Sequence, residues 1–436
     1  MNLAYRVYSF LSSIIFIVFF PPFWLYTRLS GRYSANLNQR LGLYSDELVE
    51  GIAGSPRIWI HAVSVGEVSA AMAVIESLFL LMPDCAVILS TTTEHGQAFA
   101  KDKLGSRAVC IYAPVDFVIS VRNALAALEP DVLVCLETEI WPNWLLEAKR
   151  MRIKTALVNG RISVRSIKGY LKIRPLIKAT LKHISAFSMI RQADAQRIEM
   201  MGAPPAKIEI NGNAKYDLLL QNTDTSVQTK MERLFCLKGG RPVFVAGSTR
   251  SSEEEIVLDV YEKILRAVPE TLLIIAPRHV QRAHQISTLV KDRGFSCQFK
   301  TDLNRNGLRT ASIVIIDTIG DLQAVYSVAS VVFCGGSLVP LGGQNVLEAA
   351  AWSKPVLYGP SMEDFLDAKE LLDKTGGGIQ VKDGRDLAEK AVYYLTNPDA
   401  ADRIGALAKK AVMSNHGAAG KHADVIYRLL NPDFSF

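Results

Sequence analysis

Short apolar runs alternate with longer segments of helical period along most of the chain. In the first half the runs fall at Ile58–Val63, Ala86–Ser90, Val109–Tyr112, Val132–Leu136, Thr155–Val158 and Ala186–Ile190. A second series begins at Pro242–Ala246 and continues through Leu272–Ala276, Ile313–Ile316, Val331–Cys334 and Pro355–Tyr358. Strands separated by helical patterns predict βα units and a parallel sheet. Leu218–Thr229 is polar, lacks a period and reads as a linker. The pattern therefore predicts an α/β protein of two doubly wound, Rossmann-like domains facing across a cleft, at 31–222 and 223–399. A last helical stretch, Ala400–Leu430 within 400–436, is long enough to cross back to the first domain.

The N-terminus departs from this pattern. No residue from Val7 to Thr27 is charged, and Arg6 and Arg28 bracket the run. As a helix it would extend about 31 Å, close to the hydrocarbon thickness of a bilayer. A secretory signal would end in a small-residue cleavage site. Here the run continues into Pro21-Pro22-Phe23-Trp24-Leu25-Tyr26, followed by Arg28, Arg32 and Arg40. Aromatics flanked by cations predict a membrane anchor over 1–30, with the rest of the chain on the cytoplasmic side. Pro21-Pro22 predicts a broken helix, so a shallow insertion stays open beside a full span.

Composition narrows the function classes. The 436 residues suffice for two cores, and a net charge of +6 is too small to argue for nucleic acid. The six cysteines include no C-x-x-C pair and the seven histidines no H-x-x-x-H pair. Buried reduced thiols are expected, and no metal site.

Candidate chemistry gathers where apolar runs end. Trp59–Val63 runs into Ser64-Val65-Gly66-Glu67, placing a carboxylate at the carboxyl end of the first strand, where α/β sheets hold ligands. A glutamate there is equally at home capping the next helix. Val132–Leu136 runs into Glu137-Thr138-Glu139. If that strand continues, both carboxylates point to one side, and carboxylates gathered together raise one another's pKa towards that of a general base.

In the second half four loops suit an anion. Val331–Cys334 leads into Gly335-Gly336-Ser337 and then Gly342-Gly343-Gln344-Asn345-Val346-Leu347-Glu348. Glycines there would let backbone approach a ligand, and a helix starting near Asn345 would aim its N–H groups at an anion. Arg278 follows Leu272–Ala276 and suits a phosphate. Asp317–Asp321 follows Ile313–Ile316, and Gly247–Arg250 follows the first strand of the series. No G-x-x-x-x-G-K-[ST] motif occurs, which argues against ATP or GTP hydrolysis. Finally, Ala148–Ala193 carries twelve basic residues and no acidic one. Such a run is usually a solvated face, and beside an anchor it suits anionic headgroups or a phosphorylated lipid.

The two-domain pattern resembles the nucleotide-sugar glycosyltransferases of GT-B type, whose chains also cross back at the C-terminus. Five motifs occur in order: Trp59–Glu67, Glu137–Asn143, Gly247–Thr249, Ala276–His279 and Gly342–Glu348. Together they resemble the bacterial 3-deoxy-D-manno-octulosonic acid (Kdo) transferases of lipopolysaccharide synthesis. The resemblance implies inverting transfer of Kdo from CMP-Kdo to a phosphorylated lipid A precursor (lipid IVA), without a metal or other cofactor, at the cytoplasmic face of the inner membrane. It implies Glu67 as general base, with Glu137 and Lys215 stabilising the transition state. It implies CMP contacts from Pro277, Arg278, Ile319, Gly320, Asp321, Asn345, Val346, Leu347 and Glu348. Gln344, where histidine is common, and Ala349, where proline often follows the glutamate, depart from the pattern. A soluble nucleotide-sugar epimerase and a non-enzymatic membrane scaffold are the rival readings.

Overall fold

The computed structural model describes residues 3–30, 36–221, 223–237 and 240–431. Arg32 of the expected basic flank and Asn222 of the expected linker lie outside them. The chain divides into two compact units, Met1–Asp217 with Gly417–Phe436, and Leu218–His416. Each unit holds one seven-stranded sheet.

In the first unit the strands are β1 (Arg57–His61), β2 (Ala86–Thr91), β3 (Val109–Tyr112), β4 (Val132–Leu136), β5 (Lys154–Gly160), β6 (Ala186–Met189) and β7 (Ile208–Ile210). Their order is β3-β2-β1-β4-β5-β6-β7 and every pairing is parallel. Strand order reverses between β1 and β4, which opens a crevice at their carboxyl ends. Ile58, Trp59, Ile60 and all of Val132–Leu136 are buried, because helices cover both faces of the sheet.

The second unit repeats the plan with β8 (Val243–Thr249), β9 (Leu272–Pro277), β10 (Cys297–Phe299), β11 (Ile313–Ile315), β12 (Val331–Cys334), β13 (Val356–Tyr358) and β14 (Gly378–Gln380). Its order is β10-β11-β9-β8-β12-β13-β14, again all parallel. Here the reversal lies between β8 and β12.

Every expected strand is present. The three that the pattern misses, β7, β10 and β14, are three-residue edge strands, too short to show a period. The expected linker is not one. Asp217–Gln221 and Thr225–Leu234 are helices, and the units part at 217/218 rather than 222/223. The C-terminal crossing also starts later than residue 400. Pro398–Ser414 packs within the second unit, Gly417 turns the chain at φ +86°, and only Ala418–Leu430 belongs to the first unit. There it lies against the helix Val65–Leu81. The buried Asp217 fixes its start by accepting N–H bonds from Gly417 at 2.8 Å and Ala419 at 2.6 Å.

The N-terminal helix, Leu3–Ser30, is long and apolar enough by length and composition to cross a membrane. It does not break at Pro21-Pro22 but runs through them, forgoing two internal N–H donors. Its first half rests on the domain. Tyr5 donates to Asn143 Oδ1 at 2.8 Å, Tyr8 to Asp116 Oδ2 at 2.6 Å, and Phe16 stacks on Phe117 at 4.2 Å. The other side, including Phe10, Ile14, Ile17 and Phe19, is exposed.

Candidate active site

β1 and β4 deliver their loops to the crevice of the first sheet, and three carboxylates converge there. Ser64 stands at the N-cap position of the helix Val65–Leu81, with no capping bond from its own side chain, and the first turn carries Glu67. Glu67 Oε2 accepts the Val63 N–H at 2.7 Å, and Ser64 Oγ lies 3.4 Å from Oε1. The capping role is therefore real, and it employs one carboxylate oxygen. Burial pushes the Glu67 pKa up to about 7, against the Val63 hydrogen bond, and the charges of Glu137 and Glu139 add to the rise while Lys215 opposes it. Desolvation, rather than mutual repulsion among the carboxylates, is the main cause.

Glu137 and Glu139 reach this place by a different route from the one expected. β4 ends at Leu136, and Glu137 adopts the left-handed region at φ +54°. Strand alternation therefore does not govern where these side chains point. Glu137 Oε1 accepts Lys215 Nζ at 2.5 Å. Glu139 accepts from Trp141 Nε1 at 2.7 Å and stands 3.8 Å from His61 Nε2. Burial lowers the His61 pKa to about 4, so the ring is neutral near pH 7 and this contact is no ion pair.

Lys215 is held from beneath. Asn159 is fully buried at φ +53° and accepts the Ala214 N–H at 2.9 Å, and Asn213 Oδ1 accepts the Lys215 N–H at 3.1 Å. A Cβ built on Gly66 would stand 3.8 Å from Lys215 Nζ, which puts the ammonium beside the Ser64–Glu67 turn. Glu67, Glu137 and Lys215 thus form one cluster. Asn159 was not singled out from the sequence, although Asn-Gly directly after an apolar strand is a turn signal.

In the second unit β11, β9, β8 and β12 are consecutive and parallel, so their four loops share one carboxyl edge. Arg278 is exposed at the end of β9, and its charge reaches Glu348. Burial raises the Glu348 pKa, while Asn345 donates to Oε1 at 3.2 Å. Val346 and Leu347 are buried beside them. After β11, Ile319 is 85% exposed and Gly320 takes φ +90°. Asp321 pairs with Lys300 at 2.7 Å and accepts from Thr318. Burial pushes the Asp321 carboxyl up, but these two partners outweigh it and leave its pKa below the usual range. Pro277 closes β9 in register with Thr249.

Two expectations for the glycine-rich loop are corrected. The helix begins at Leu347, not Asn345, and has five residues. Asn345 Oδ1 already accepts the Leu347 N–H at 3.1 Å. The loop's glycines also serve chain packing. A Cβ at Gly335 would stand 2.7 Å from Thr249 Cα, and one at Gly343 would strike Met362 Sδ at 2.5 Å. The N–H groups of Gly336, Ser337 and Leu338 point at the fully buried carboxylate of Glu253, at 2.6, 3.1 and 3.0 Å. Arg250 N–H completes the set at 2.9 Å. Glu254 beside it accepts Arg282 at 2.7 and 3.0 Å. In the sequence Glu253–Glu255 look like ordinary first-turn acids of a helix. Among the described residues, no three His, Cys, Asp or Glu side chains are grouped to hold a metal ion.

Solved structures with this architecture define the class. The chain superimposes on a UDP-GlcNAc 2-epimerase from Neisseria meningitidis with a TM-score of 0.62 and 13% identity, covering 86% of this chain and 100% of that one. A glycosyltransferase from Rickettsia africae gives 0.59 and 15%, covering 86% and 98%. The fold is that of the two-domain GT-B proteins. Sequence resolves the family within it. The family model for 3-deoxy-D-manno-octulosonic-acid transferase (kdotransferase) matches residues 35–218. The chain is 31% identical over 400 residues to the 3-deoxy-D-manno-octulosonic acid transferase of Haemophilus influenzae, covering 91% of this chain and 92% of the relative. With the transferase of the same name from Rickettsia felis it shares 31% over 379 residues, covering 86% and 79%. The chain belongs to the Kdo transferase family and is a glycosyltransferase.

Proposed function

We propose that the protein transfers Kdo from CMP-Kdo to a hydroxyl of a phosphorylated lipid A precursor, lipid IVA, with inversion at the anomeric carbon, at the cytoplasmic face of the inner membrane. The observation that carries this is Glu67, a half-buried carboxylate with a pKa near 7, whose Oε2 is held by the Val63 N–H and whose Oε1 has only a long 3.4 Å contact from Ser64 Oγ for a substrate to replace. A base with that pKa is deprotonated often enough to act at neutral pH, yet is strong enough to take a proton from an attacking alcohol. Direct attack with that proton removed in the same step inverts the centre. The Lys215 ammonium, held against Glu137, is suited to the sugar carboxylate or to negative charge developing on the leaving group.

The donor contacts are assigned to the second unit: Pro277, Arg278, Ile319, Gly320, Asp321 and Asn345 to Glu348. Glu348 suits the vicinal hydroxyls of a ribose, and Arg278 the phosphate. CMP leaves with a single phosphate, so the reading needs no divalent cation to neutralise a diphosphate. The exposed face of the N-terminal helix and the basic run support a bilayer as the source of the acceptor. The test is Glu67→Gln. CMP binding and the fold are expected to survive, while Kdo transfer to lipid IVA drops by at least about a hundredfold. Unchanged turnover would assign the base elsewhere. Transfer by the wild type that continues in EDTA is the accompanying expectation.

A further inference from the structure

We propose that the groove between the N-terminal helix and the helices Pro142–Arg150 and Arg174–Leu181 binds the phosphate headgroup of an anionic membrane lipid, at a place separate from the catalytic cluster. The groove encloses about 620 Å³ and is lined by Tyr5, Leu146, Arg150, Lys178, Lys182 and His183, among others.

Its two ends differ. Leu146 and Tyr5 offer an apolar wall that continues onto the N-terminal helix, whose outer side exposes Val7, Phe10, Leu11 and Ile14. The other end is cationic. Lys178 and Lys182 stand one helical turn apart, where like charges repel. Neither ammonium group has an ion-pair or hydrogen-bond partner among the described residues. No acidic side chain exists from Ala148 to Ala193 to supply one. The nearby Glu147 is already shared, one oxygen with Arg122 at 2.6 Å and the other with Arg150. The surroundings of His183 report the same imbalance: burial, then Lys149, Lys207 and Lys182, lower its pKa. A phosphate between Lys178, Lys182 and Arg150 would relieve this repulsion, while acyl chains follow the apolar wall.

Topology separates the groove's charged end from the chemistry. Arg150 ends the helix that leads into β5, and Lys182 and His183 precede β6. In a parallel sheet those positions lie at the amino edge of the strands, whereas Glu67, Glu137 and Lys215 lie at the carboxyl edge. The headgroup is therefore not the reacting end of an acceptor. Exposed Val164, Leu171 and Ile173, interleaved with Arg165, Lys168 and Lys172, lie on the segment that joins β5 to the helix Arg174–Leu181. The inference rests on the membrane reading above and adds a discrete site to it.

The test uses the full chain in nanodiscs of phosphatidylcholine doped with phosphatidic acid, released into a native mass spectrometer. The wild type is expected to retain phosphatidic acid at one site. Lys178→Gln with Lys182→Gln should lower that retention at least about tenfold, and so should Ala179→Trp, which fills the groove without changing charge. Arg165→Gln with Lys168→Gln should leave it unchanged. Equal losses in both double variants would reduce the site to diffuse attraction and overturn the proposal. Displacement of the lipid by inorganic phosphate would make it a plain anion site, and absence of retained lipid in the wild type would also overturn it. CMP titration of each preparation shows whether the protein is folded. Lost CMP binding in the wild type would count against the proposed activity, while intact binding without retained lipid counts against the groove alone.

Discussion

Lys215 Nζ lies 2.5 Å from Glu137 Oε1, and that pair stands beside Glu67 in the first unit's crevice. Burial is the main cause of the raised Glu67 pKa, and the ammonium partly offsets the smaller contributions of Glu137 and Glu139. It follows that Glu67 gains its proton as pH falls through about 7. Transfer should therefore fall about tenfold per pH unit below that point and level off above it. Initial rates across the range from about pH 5 to about pH 9 check this. A limb near the ordinary glutamate value would show that Glu67 is solvated during turnover, or is not the base.

The signs of two neighbouring substitutions are opposite. The charge of Glu137 raises the Glu67 pKa and that of Lys215 lowers it. Glu137→Gln should move the acidic limb to lower pH, and Lys215→Met should move it higher, with kcat falling in both. Asn159→Ala should act like a weaker Lys215→Met, because the Ala214 N–H loses its acceptor and the lysine its fixed position. That change should also cost about 1–3 kcal/mol of stability, since a buried donor is left unpaired. Limbs that shift in the same direction for Glu137 and Lys215 would refute the electrostatic account.

Glu253 is the second unit's counterpart of a bound anion. Four backbone N–H groups converge on its carboxylate, and three of them belong to the loop that leads to Asn345 and Glu348. Glu253→Gln turns one end of that acceptor into a donor facing donors. The expected cost is about 2–3 kcal/mol, with CMP affinity lowered at least about fivefold. Glu255→Gln, at the exposed neighbour, should be within about 0.5 kcal/mol of the wild type. Thermal melts and CMP titration of the two variants separate them. Equal effects would mean that the helix dipole, not the loop, is what Glu253 serves.

The contrast between Glu253 and Glu67 shows where sequence reading succeeds. Strand runs such as Val132–Leu136 announce themselves because parallel strands are buried on both faces, and residues just beyond them inherit a position at the sheet edge. Glu67 and Glu137 were legible for that reason. The route by which Glu137 turns was not, because its left-handed backbone is imposed by contacts with Val158 and Arg161 rather than by a local propensity. Glu253 was hidden by context: three of its four partners lie more than eighty residues away, and nothing in Glu253-Glu254-Glu255 distinguishes a buried acid from a solvated one. The helical character of Leu218–Gln221 and Thr225–Thr229 was hidden because each stretch is too short to show a helical period.

His422 offers a test of how the C-terminal helix is held. It is fully buried, bridges Ser188 Oγ at 2.6 Å and the Gly212 carbonyl at 3.0 Å, and burial lowers its pKa to about 4. A depressed folded pKa means that the stability contributed by the neutral ring is complete above the unfolded value near 6.5, and is lost as pH falls towards about 4. The size is on the order of 3 kcal/mol. His61 behaves alike, but Glu67 and Asp116 have raised pKa values, about 7 and about 6, and they gain stability over much of the same range. The wild-type melting temperature is therefore a poor probe, since the opposing contributions cancel. The difference between wild type and His422→Gln isolates one of them. That variant should be most destabilised near pH 7, and the gap should narrow on acidification as the wild type pays to charge its buried ring. A gap that stays constant from about pH 7 to about pH 4 would mean that the histidine titrates as it does in water, and that the Ala418–Leu430 helix is anchored by Asp217 and packing instead.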